Sequence, residues 1–107
     1  MWKPITEDEF RALLESQEKD LSEEERQAFQ EFRVPLRTAT IVRNRETGNE
    51  RVFVVASCAH GVLYFDDVEY GFNMSATDDC GMILRPGGSQ FTLGEAIQTW
   101  LVSRHVN

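Results

Sequence analysis

The sequence predicts an α+β domain in the order ααβββββα, a mostly antiparallel meander sheet packed by N-terminal and C-terminal helices. Three observations carry that prediction. One helix-start signature occurs three times, twice before and once after the middle of the chain. Between those places the apolar period changes from helical spacing to β-branched runs punctuated by Gly, Asn and Asp. Every connection between the runs is short, which favours antiparallel neighbours because a parallel crossover needs about a dozen residues or more.

The first helix, about residues 7–18, starts in "ITEDEF". Thr6 caps it, Glu9 reaches back to the Thr6 amide, and Ile5 and Phe10 occupy the two staple positions. Its apolar stripe is Phe10, Leu13 and Leu14. The second, about 23–33, repeats the device with Ser22 and Glu25 and presents Ala28, Phe29 and Phe32. Pro35 ends it, since the residue before a proline avoids the α region. The last helix, about 93–104, starts at Thr92 with Glu95. Leu93, Ala96, Ile97, Trp100 and Leu101 follow helical spacing, which makes Trp100 the expected main pillar.

In the middle, "LRTATIVRN" and "RVFVVASC" flank "RETGNE", a hairpin whose Gly48 and Asn49 tolerate positive φ. "GVLYF" and "VEYGFNM" flank Asp66 and Asp67 as a second hairpin. In the latter run Val68, Tyr70, Phe72 and Met74 alternate with Glu69, Gly71 and Asn73, so one buried and one wet face are expected. "MILR" is a short fifth strand.

A chain of 107 residues suits one domain over 1–107, and no linker or repeat marks a second. The sequence shows neither a bilayer-length apolar stretch nor a signal peptide, so a cytoplasmic protein is expected. The two cysteines are then expected as free thiols, with a Cys58–Cys80 bridge the less favoured alternative. The net charge of −7 is unevenly placed. Residues 1–34 and 63–81 carry −5 each, residues 35–62 carry +2 and residues 82–107 carry +1. Such a surface repels a phosphate backbone, which argues against nucleic acid.

Chemistry is sought in "SCAHGVLYFDDVEYGFNMSATDDCG". Cys58 and His60 share a strand face, and Cys80 with Asp78 or Asp79 could complete a zinc set. The paired C-x₂₋₄-C or H-x₃₋₅-H spacing of structural zinc is missing, and "DDVE" and "SATDD" do not follow the EF-hand pattern. No strained elbow accompanies a Cys–His nucleophile, and "RPGGSQ" lacks the lysine of a phosphate loop. The stretch reads as turns and strands, with no catalytic residue, no metal and no cofactor.

The function expected is therefore an acidic protein-interaction module, of the stoichiometric-inhibitor or immunity type, binding a protein with a basic surface. Asp66, Asp67 and Glu69 are the candidate binding residues, because no lysine or arginine lies within 63–81 to neutralise them. The alternative is a small-molecule-binding regulatory module with a pocket lined by Tyr64, Phe72 and Trp100. A small enzyme ranks third.

Overall fold

The computed structural model describes residues 4–44, 48–58, 61–78, 81–83 and 90–102, with backbone only for 42–44, 48–50 and 101–102. Helix α1 is Glu7–Glu18 and α2 is Glu23–Phe32. Strands β1 (Arg33–Asn44), β2 (Gly48–Cys58), β3 (Gly61–Asp66), β4 (Gly71–Ser75) and β5 (Met82–Ile83) follow, then α3 (Leu93–Ile97), which runs into a π-helical turn at Gln98–Val102. Among the described residues no helix is long and apolar enough to cross a membrane.

All three helices begin with the capping box read from the sequence. The Glu9, Glu25 and Glu95 amides donate to Thr6, Ser22 and Thr92 hydroxyls at 3.1, 3.1 and 3.2 Å. The Thr6, Ser22 and Thr92 amides donate to the three glutamates at 3.0, 2.9 and 3.0 Å. Helix α3 has only one α turn of its own, so its start is secured from outside. The Leu93 amide donates to Gln17 Oε1 of α1 at 2.6 Å, and Gln98 Nε2 donates to Glu25 Oε2 of α2 at 3.0 Å.

Hydrogen-bonded neighbours run β4-β3-β2-β1-β5, all antiparallel except the β1–β5 pair at Thr40–Met82 and Ile41–Ile83. The parallel pair is no crossover. Thr77, just past β4, forms an antiparallel bridge with Ile83, so β4 leads through a turn into β5. The strand list is therefore a meander whose last strand returns to its first. In a meander of five strands the first and last run the same way, and the pair that closes the ring has to be parallel. The sheet is a small barrel, shut along one short seam.

Closure needs strong twist, and the long strands supply it at irregularities. In β2 the register shifts between Val54 and Ala56, leaving Val55 as an extra residue. In β1 it shifts between Arg33 and Arg37, the stretch that contains Pro35. A proline has no amide for the ladder and is tolerated there. So β1 starts at Arg33, directly after α2, rather than beyond the proline. The β1–β2 ladder extends to Asn44 and Gly48, so Gly48 belongs to the strand. Residues 45–47 of the expected "RETGNE" turn lie outside the described residues.

Closure also gives the protein two cores. Ala39, Ile41, Val52, Val54, Val62, Tyr64 and Ile83 fill the inside of the barrel. Outside, under the helices, lie Phe10, Leu14, Leu21, Phe29, Val55, Ala56, Leu63, Phe65, Phe72, Met74, Leu93, Ala96 and Ile97. Phe10 of α1 is fully buried, stacks on Phe53 at 4.8 Å and meets Phe65 and Phe72 at 5.2 and 6.1 Å.

Two expectations are corrected. Strand β4 has no wet face: Gly71 through Ser75 are all buried, Phe72 and Met74 against the helices and Asn73 opposite Tyr64 on the barrel side. Simple alternation assumed an open sheet with one solvated face, which a closed barrel lacks. Val68 and Tyr70 are not in the strand at all; they form its preceding turn and are 41% and 60% exposed. At the other end of the chain the α-helix stops at Ile97, and Trp100 sits in the π turn, only partly buried against the outer core.

Candidate functional site

The β3–β4 turn, residues 67–70, is built by one carboxylate. Asp66 ends β3 fully buried, and its Oδ1 accepts from the Val68 amide at 3.0 Å and the Glu69 amide at 3.3 Å. Aspartate favours such sites because its short side chain bonds the backbone two or three residues on. Asp67 Oδ2 accepts from the Ile5 amide at 2.8 Å, which ties the entry of α1 to this turn. The three sequence candidates thus lie together but differ in role. Asp66 fixes the loop from inside, Asp67 joins it to α1, and Glu69 is half-exposed at its tip.

Tyr70 completes the turn with φ of +58°, the one described non-glycine residue at positive φ. A left-handed tyrosine costs about 1–2 kcal/mol of backbone strain, which a glycine would avoid. Its ring stands edge-on to Phe65, with centroids 5.3 Å apart and planes at 80°, so the exposed side chain rests on the outer core. Val68 and Tyr70 are the large hydrophobics left exposed among the described residues, and both belong to this turn. Sequence reasoning missed them by extending the strand one alternation too far. The signal was the Asp66–Asp67 pair four residues before Gly71, a turn closed by a carboxylate rather than a tight two-residue hairpin.

Beside the turn runs an open groove along α1, lined by Ile5, Glu9, Ala12, Leu13, Ser16 and Tyr70 with Pro4 and Thr6. Glu9, Ala12, Leu13 and Ser16 recur at i, i+3, i+4 and i+7, so α1 shows this stripe outward while Phe10 and Leu14 face the core. The Glu9 carboxyl is held below the usual carboxylate range by the Thr6 amide first and the Thr6 hydroxyl second, so it is charged throughout the neutral range. No protein-family model, curated protein or solved structure matches the chain. Function has to be read from these surfaces.

The second acidic turn lies at the opposite end of the barrel, because β4 runs from one turn to the other. Asp78 serves its own loop there, its Oδ1 accepting from the Met82 amide at 2.9 Å. At that end a shallow pocket is lined by Arg37, Ser57, Cys58, Gly61 and Thr77 among others, with Cys58 a free thiol. His60, Asp79 and Cys80 lie outside the described residues, among which no group of three His, Cys, Asp or Glu side chains is placed to hold a metal. The pocket expected from Tyr64, Phe72 and Trp100 does not form as one lining. Tyr64 is inside the barrel, whereas Phe72 and Trp100 belong to the outer core.

Proposed function

We propose that the protein is an interaction module that binds another protein through its β3–β4 turn, as a stoichiometric inhibitor or immunity-type partner does. One observation carries the reading: Val68 and Tyr70 stand exposed on the same short turn as Asp67 and Glu69. Tyrosine is a favoured hot-spot residue, combining a large apolar face with a hydroxyl. Tyr70 holds a mostly uncovered ring on the surface at a left-handed φ, which fits a side chain positioned for contact. The neighbouring acids favour a partner with a basic surface and speed its approach. Their charge also disfavours nucleic acid, and the partner is expected in the cytoplasm.

The test is a paired capture from cell extract with the wild type and the Tyr70→Ala, Val68→Ser double variant, both checked for folding by circular dichroism. A protein retained by the wild type in equal stoichiometry and lost from the folded double variant is expected. Identical captured proteins with both baits would refute the turn as the binding surface.

A further inference from the structure

We infer that the groove between α1 and Tyr70 takes an amphipathic helix of a partner protein, apolar on one side and bearing lysine or arginine along its flanks. This rests on the reading of the turn as a binding surface and specifies the shape of what binds there. Ala12 and Ser16 lie one helical turn apart on the groove side of α1, and both are exposed. Small residues at that spacing let a second helix approach closely, with larger side chains on either side to grip it. Leu13 and Ile5 supply apolar contact, and Tyr70 stands as the wall on the far side. Helix α1 has 12 residues, so its length of about 18 Å matches a partner segment of about three turns.

Two other occupants are disfavoured by the same surface. An added β-strand needs a row of unpaired backbone groups. The wall here is a helix whose first amides are engaged, Thr6 by Glu9 and Ile5 by Asp67. A second copy of this chain would bring an identical acidic rim and a net charge of −7 to a surface already carrying Asp8, Glu9 and Glu69. Asp8 and Glu9 each stand four residues before Ala12 and Leu13, so the acidic rim continues along α1. Arg11, the basic residue within α1, is held by Glu7 at 3.0 Å. Glu9 in the groove lining, Asp8 one residue before it and Glu69 on the neighbouring turn are complementary to cations on the incoming helix.

The probe is a synthetic 18-residue leucine/lysine peptide patterned for one apolar helical face. Its controls are the same composition patterned at period two, and a leucine/glutamate helix. Amide shifts of the ¹⁵N-labelled protein are followed during titration. The helical lysine peptide is expected to shift Ala12, Leu13, Ser16, Val68 and Tyr70 selectively and to gain helicity on binding. Ala12→Trp, which fills the groove, should weaken it at least tenfold. Asp67→Asn with Glu69→Gln should flatten its salt dependence. Equal binding of the period-two peptide, indifference to Ala12→Trp, shifts at other surfaces, or none at millimolar peptide would each overturn the inference. A captured protein that is sensitive to Tyr70 but indifferent to Ala12→Trp would leave the turn as the binding surface and remove only the helix from the groove.

Discussion

Replacing Tyr70 separates what its ring contributes from what its backbone costs. The residue is 60% exposed, so about two-fifths of a side chain of roughly 200 Å² is covered, chiefly against Phe65. At about 25 cal/mol per Å² that contact stabilises by about 2 kcal/mol. Alanine loses the contact and keeps φ at +58°, so Tyr70→Ala should cost about 2 kcal/mol. Glycine loses the same contact but accepts that φ freely, which returns about 1 kcal/mol after its larger unfolded-state entropy is counted. Tyr70→Gly should therefore cost only about 1 kcal/mol, and glycine should be the more stable of the two. That order inverts what is found at ordinary surface positions. Urea titration of both variants, with unchanged m-values, measures the difference. If alanine equals or exceeds glycine, the backbone at Tyr70 is not left-handed, and the argument from strain to function falls with it.

The helices should rank opposite to the sequence expectation. Phe10→Ala, fully buried in an aromatic cluster, should cost about 4 kcal/mol, and the partly buried Trp100→Ala about 2–3 kcal/mol by the same titration. Gly61 has φ of +142°, and a Cβ there would stand 2.2 Å from the Ser75 carbonyl oxygen. Since that neighbour is backbone, Gly61→Ala should cost more than about 3 kcal/mol and lower the melting temperature steeply; a change within 2 °C would mean the β3 and β4 backbones do not meet there. Gln17→Leu removes the acceptor for the Leu93 amide and should cost about 1–2 kcal/mol, with the loss of helicity read by circular dichroism. The depressed Glu9 carboxyl contributes stability that is present above the ordinary glutamate range and is lost as pH falls through its lower folded value. The wild type should lose its advantage over Glu9→Gln across that acidic window, and a pH-independent difference would contradict the assignment.

What the sequence revealed follows the range over which each signal acts. Capping boxes are local, and Thr6, Ser22 and Thr92 each announced a helix start that folding keeps. The strand runs were equally readable from their β-branched residues. Barrel closure was hidden because it depends on Thr77 meeting Ile83 and on Val55 being an extra residue, neither of which leaves a local mark. The error at Val68 and Tyr70 came from the same source: apolar alternation looks alike whether the residues enter a strand or cross a turn. The acids Asp66, Asp67 and Glu69 were found by charge alone, and charge could not tell the buried loop-builder Asp66 from the half-exposed Glu69. The groove went unnoticed because Ala12 and Ser16 are unremarkable until Tyr70 is folded against Phe65 beside them.

The seam that shuts the barrel is also where it would come apart. A dozen residues of β1 and 11 of β2 hold one another along most of their length, whereas among the described residues β5 offers two paired with β1. Protein sheets open locally in units, and the short β1–β5 pairing makes β5 the expected first unit to open. Lifting it would uncover the edge of β1 and the interior side chains Ala39 and Ile41. That edge can be filled again by the same β5 or by the β5 of a neighbour, which is the exchange that produces strand-swapped dimers. Strand exchange of that kind would show as a dimer whose share grows with protein concentration, while a dilute chain would reseal with its own β5.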